Sequence, residues 1–220
     1  MTQDDNVNLN ILESELNKRL IYPYTWYRKQ NDKWDKSTSF IYKVRFFEEL
    51  ISQIKTHFSH LKIETTFDAY FNYALNRWYN FWSAKAIEMM FIQNPKVKAA
   101  LDPYDRHIDF WINNISFDHK TSVFPKGFKK SFNYAQQHPQ ELAQWLYDNQ
   151  SQQGRKHFKN RLFVILYQKE GAHWQLKANL KLIKCHVEKF LTNFMAENLI
   201  KLSFKSESKP TLTAIIFVSK

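Results

Sequence analysis

Glycine is almost missing from this chain: Gly127, Gly154 and Gly171 are the only three in 220 residues. So few, so widely spaced, exclude GxGxxG and GxxxxGK, the loops whose backbone cradles nucleotide phosphates. Cysteine occurs once, as Cys185, which excludes an intrachain disulfide and a Cys-based zinc centre. No apolar run approaches the ~18 residues of a membrane span. The opening stretch from Thr2 to Asn10 is polar and acidic and has neither the basic nor the apolar region of a secretory signal. The expected setting is therefore a reducing cytoplasm, and the glycosylation-like triplet Asn114-Ile115-Ser116 is read as accidental. Acidic residues are in deficit too, 21 Asp and Glu against 32 Lys and Arg, for a formal net charge of +11. Such a surplus favours polyanions: DNA, RNA or an anionic membrane surface.

What is present is apolar and aromatic. Hydrophobic residues make up 44% and aromatics 17% of the chain, enough for a substantial core. Leucines at 9, 12, 16 and 20 predict a short helix over 8–20, followed by an aromatic and charged connector from Tyr22 to Lys36. Ser37 or Thr38 is placed as the cap of a helix reaching about Leu61, with Phe46, Leu50, Ile54 and Phe58 on one stripe. A third helix is predicted over roughly 66–93. The tryptophans and tyrosines of this region are read as core rather than as base-stacking platforms. Asn94 to Asp105 is taken as a connection. Beyond residue 125, Pro139 fits the first turn of a helix that Gly154 terminates. Leu162-Phe163-Val164-Ile165-Leu166 has the continuous apolar character of a strand buried on both faces. Leu176 to Phe194 carries a long amphipathic stripe, and two strand-like runs, Ile200–Lys205 and Leu212–Val218, close the chain.

The most informative stretch lies between these, from Ile108 to Lys120. It alternates apolar and polar residues about an Asn113-Asn114 turn, as a β-hairpin does. With those asparagines as the loop, Ile112 faces Ile115, Phe110 faces Phe117, and Asp109 faces Asp118. One face then carries Ile108, Phe110, Ile112, Ile115 and Phe117; the other carries Asp109, Asp118 and Lys120. Like charges directly opposed destabilise a hairpin, so the pair implies a neutralising partner, and a divalent cation is the obvious one. Two carboxylates holding Mg²⁺, with a lysine beside them to orient water or stabilise developing charge, are a minimal apparatus for phosphodiester hydrolysis. By alternation His119 points away from Asp118, while His107 shares the acidic face.

Asp109 followed by Asp118-His119-Lys120 resembles the active-site core of the PD-(D/E)XK nuclease superfamily, the restriction-endonuclease-like fold. Asp109 matches the family's first acid, Asp118 the second and Lys120 the lysine. Glu88, within Ala84-Lys85-Ala86-Ile87-Glu88-Met89-Met90, matches the glutamate many members carry on the preceding helix. The helix, buried strand and helix after the hairpin also resemble the family's αβββαβ core. No proline precedes Asp109, Pro103 lies nearby, and Asp105 competes for the place of first acid. The resemblance covers roughly Ala84 to Gln168.

It implies an α/β fold: a restriction-endonuclease-like mixed sheet flanked by helices, with an N-terminal helical lobe at 1–65 ahead of a core at 66–220, together one compact unit. It further implies a Mg²⁺-dependent endonuclease, Mn²⁺ being the substitute ion, that hydrolyses DNA, with RNA left open. Asp109, Asp118 and Glu88 would serve the metal and Lys120 the water. Lys126, Lys129, Lys130, Arg155, Lys156 and Lys159, in two basic segments flanking the hairpin, 126–130 and 155–161 (the second ending at Arg161), would hold the phosphate backbone. Double-strand cutting calls for two active sites, hence a homodimer. The competing reading is a non-catalytic nucleic-acid-binding protein on the same scaffold.

Overall fold

The computed structural model describes residues 8–28, 32–102, 107–149 and 157–220. Asp105, Gly154, Arg155 and Lys156 lie outside them. Contacts group into two compact units, Met1–Ala86 with Lys177–Leu180, and Ile87–Leu176 with Lys181–Lys220. The boundary falls within a long helix, whereas the sequence reading began the core at residue 66, where that helix starts.

The first unit is helical: α1 (Leu9–Lys18), α2 (Asp32–Ser37), α3 (Phe47–Ser59) and most of α4 (Phe67–Ile92). The Asn8 side chain caps α1, accepting the Asn10 amide at 2.9 Å. The single helix expected from Ser37 or Thr38 to Leu61 is instead a 3-10 turn, Ser39–Tyr42, followed by α3. Distant side chains make the break. The indole N–H groups of Trp82 and Trp78 donate to the carbonyls of Ile41 and Val44 at 3.0 and 2.7 Å. A continuous helix would have used those carbonyls itself. Thr38 caps nothing; its hydroxyl donates to Trp34 O at 2.7 Å. The α3 start is capped from outside, by Glu15 Oε2 accepting the Phe47 amide at 2.6 Å. Trp34, Tyr70, Tyr73, Trp78 and Tyr79 are buried, as core rather than platform.

Among the described residues the second unit is built on a six-stranded mixed sheet in the order β1-β2-β3-β4-β6-β5. Its strands are β1 (Val97–Ala99), β2 (Phe110–Ile112), β3 (Ile115–Val123), β4 (Arg161–Tyr167), β5 (Ile200–Leu202) and β6 (Thr211–Ser219). α5 (Phe132–Gln137) and α6 (Pro139–Asp148) link β3 to β4, and α7 (Leu180–Thr192) precedes β5. β1, α2 and α5 are short elements that the pattern did not announce. α7 begins four residues later than its apolar stripe, after a 3-10 segment at His173–Ala178. The hairpin forms as expected from Phe110 to Phe117, with Ile112 paired to Ile115 and Phe110 to Phe117, but the expected Asp109–Asp118 pair does not extend the ladder, because the Asp109 amide donates to Phe117 O instead. Asn113 and Asn114 take φ of 47° and 65°, the left-handed pair that a type I′ turn requires. β4 lies between β3 and β6, parallel to both, and its apolar run Leu162–Leu166 is fully covered. On one face Phe163 and Ile165 pack with Phe124, Phe128, Phe132, Leu142 and Tyr147 from the β3–α6 segment. Burial of each such side chain stabilises by roughly 1.5–3 kcal/mol. Among the described residues no helix is long and apolar enough to cross a membrane.

Candidate functional site

β3 is nine residues long and β2 only three, so the two strands part company at a defined place. The hairpin ladder ends at Phe110–Phe117; one step on, Asp118 is already paired with Arg161 across the parallel β3–β4 ladder. Asp109 sits at this divergence. Its amide donates to Phe117 O at 2.9 Å, one position off the hairpin register, and its carbonyl accepts the Ala100 amide at 3.0 Å. Its carboxylate fills the place that a further β2 residue would have taken, Oδ2 accepting the His119 amide at 2.6 Å. Burial pushes the Asp109 carboxyl up to about 6, against the His119 amide and Lys120, which lower it, and with the charges of Asp118 and Glu88, which raise it further.

Asp118 is 2% exposed and its two oxygens are treated differently. Oδ1 accepts the Lys120 ammonium, whose side chain is half exposed. Oδ2 accepts Arg161 Nε at 2.8 Å, and His157 Nε2 stands 3.4 Å from the same atom. Arg161 is buried, its guanidinium 5.4 Å from the Tyr147 ring centroid. Asn160 braces the strand ends: its carbonyl accepts the Asp118 amide, its side-chain nitrogen reaches Ser116 O, and its Oδ1 accepts the Leu212 amide. Three strands are thereby tied beside Asp118. Burial, with Arg161 next, holds His157 down to about 4, and its ring lies 4.8 Å from that of His107. His119 is buried on the opposite face, as alternation predicts, beside the Phe91 ring at 5.6 Å. Burial pulls it down to about 3.

The structure thus brings together Asp109, Asp118 and Lys120. Glu88, half-buried on α4, is near enough for its charge to act on Asp109. Among the described residues, however, no group of three or more His, Cys, Asp and Glu is gathered as a metal cluster. The basic segments fare unequally. Lys159 is exposed and two residues before Arg161, at the Asp118 end of the sheet. Lys126, Lys129 and Lys130 are exposed too, but they follow Val123 at the other end of β3. At ~3.3 Å per strand residue that is about 16 Å from Asp118 to the end of the strand. This loop does not belong to the acidic site. Arg161, which closes the basic segment 155–161, is a buried partner of Asp118 rather than a surface cation.

Compared with family models, with curated proteins and with solved structures, the chain matches none. The reading of the site rests on its own geometry.

The donor set suits a hard cation in kind. Mg²⁺ takes oxygen ligands, often only one or two carboxylates, and completes its shell with water and substrate phosphate. Asp109 and Asp118 provide two such carboxylates, and Asp109 accepts the His119 amide through Oδ2.

Proposed function

We propose that this protein is a metal-dependent nuclease that hydrolyses DNA phosphodiester bonds, with Asp109 and Asp118 as holders of Mg²⁺ and Lys120 as the amine beside them. One observation carries the reading. Two carboxylates lie where two strands diverge, near enough for the charge of Asp118 to act on Asp109; an amine sits on Asp118, and burial above all pushes Asp109 up to about 6. The buried Asp109 carboxylate costs stability unless a further cation joins it. The order α4, β1, β2, β3, α5–α6, β4 agrees with the αβββαβ order of the PD-(D/E)XK nucleases and supports a restriction-endonuclease-like assignment.

When bound, Mg²⁺ supplies neutralisation of the phosphate and a more acidic water. The chain's own groups do the rest. Lys120, anchored on Asp118 and half exposed, is placed to orient the attacking water or to meet charge developing on the phosphate. Glu88 adds negative charge toward Asp109 from α4. Lys159 and the wider positive surface attract the DNA backbone.

A second reading has its own observation. Both oxygens of Asp118 already meet protein cations, Lys120 and Arg161, so the network is self-sufficient in a protein that only binds nucleic acid. Incubation of the purified chain with supercoiled plasmid, in Mg²⁺ or in EDTA, separates the two. Cleavage in Mg²⁺ alone is expected, falling about 10²–10⁴-fold in Lys120→Ala and Asp118→Asn. Equal cleavage by the variants assigns the activity elsewhere. Binding of DNA without cleavage of DNA or RNA by the wild type establishes the second reading.

A further inference from the structure

We infer that Arg161 is a positioning residue that fixes Asp118 with Oδ2 turned inward, so that Oδ1 alone is offered to a divalent cation. The inference rests on the nuclease reading and adds to it the mode of ligation and the residue that imposes it. The two oxygens of Asp118 are held by unlike partners. Lys120, on Oδ1, is a flexible ammonium with half its side chain in solvent, able to turn about its second acceptor, the His119 carbonyl. Arg161, on Oδ2, cannot turn. Its side chain is 5% exposed, it lies across from Asp118 in the β3–β4 register, and its guanidinium is packed against the Tyr147 ring. Its Nη2 is 3.1 Å from His157 Nε2, and its carbonyl accepts the Thr213 hydroxyl at 2.7 Å. A cation that took Oδ2 would leave this guanidinium buried without its counter-charge. A cation that takes Oδ1 shifts only a half-exposed amine, which keeps its second acceptor, the His119 carbonyl at 3.3 Å, and so stays beside the ion. Asp118 is thereby a one-oxygen ligand, and the lysine is kept next to the ion rather than replaced by it.

The wild-type chain tests this by ¹H–¹⁵N NMR during a Mg²⁺ titration. A buried Arg161 Nε–H bonded to a carboxylate gives a resonance slow to exchange with water; Arg161→Lys removes it and so assigns it. The His119 amide, bonded to Asp109, reports loading. The expected result is a saturable shift of the His119 amide while the Arg161 Nε–H resonance stays sharp. Loss or broadening of that resonance in step with His119, in a protein that still cleaves DNA, overturns this inference and leaves the nuclease reading standing. No shift of His119 in a protein that also cleaves nothing overturns the nuclease reading, and this inference with it. Kinetics supply the second arm. Arg161→Met should lower kcat about tenfold or more with little change in KM for DNA, and Arg161→Lys should recover part of it. A merely structural arginine would move the melting temperature and leave kcat per folded molecule as it was, which also overturns the inference.

Discussion

Asp109 is the residue on which the chemistry and the stability of the site meet. Burial favours its protonated form, so the folded state binds a proton at this carboxyl more tightly than the unfolded chain does. A carboxyl raised from an ordinary value near 3.8 to about 6 in the fold destabilises the protein above pH 6. The penalty shrinks as pH falls from 6 toward 4 and is gone below that. Asp109→Asn keeps an acceptor for the His119 amide and removes the charge. In EDTA at pH 8 it should therefore raise stability by about 1–3 kcal/mol, an advantage that fades by pH 4.5. Thermal melts of both proteins across that range check it; a variant less stable at pH 8 would show that the carboxylate is already adequately neutralised. The companion outcome is that Mg²⁺ or Mn²⁺ raises the melting temperature of the wild type at pH 8 and not that of Asp109→Asn, because a ligand stabilises only the state that binds it.

Among the elements, the β2–β3 hairpin was the most legible in the sequence, and β4 next. The reason is local: alternation about two asparagines specifies a hairpin, and five consecutive apolar residues specify a strand covered on both sides. The turn makes a direct test. Asn114 holds φ of 65°, where a β-branched side chain is strained by about 1–2 kcal/mol. Asn114→Val should lower stability by that much in urea unfolding, while Asn114→Gly should match or exceed the wild type. Other elements depend on partners that no local pattern contains. The break between Ser37 and α3 is made by two indoles about forty residues away, Trp78 and Trp82. β1 is three residues long and exists only because β2 lies alongside. The candidate site divides in the same way. Asp109, Asp118 and Lys120 were readable because one hairpin carries all three. Arg161 was visible only as one more cation in a basic run, because the parallel register that sets it against Asp118 is closed by a connection containing two helices. Its strand position just ahead of Leu162 was the available signal: a charge at the mouth of a fully buried strand needs a counter-charge.

At the scale of the whole molecule, the net charge of +11 and the location of the acidic site set different tasks in different places. On the proposed reading, polyanion affinity would follow from the summed field and fall steeply with salt, whereas cleavage would depend on a few groups at the end of the sheet where β2 and β3 part. Lys126, Lys129 and Lys130 lie beyond the opposite end of β3, about 16 Å of strand from Asp118, a span of about five base-pair rises along a duplex. Changing all three to glutamine should then weaken DNA binding and flatten its salt dependence by up to about three phosphate contacts' worth of slope. The single-turnover cleavage rate at saturating DNA should stay within about twofold of wild type, since no group near Asp118 has changed. Lys159→Gln, at the Asp118 end, should lower that rate as well as the affinity. Measured binding isotherms from 50 to 200 mM salt, beside single-turnover rates, distinguish the two ends. Loss of cleavage in the triple variant at saturation would mean that the loop reaches the reacting phosphate, and the separation of binding from chemistry along β3 would be wrong.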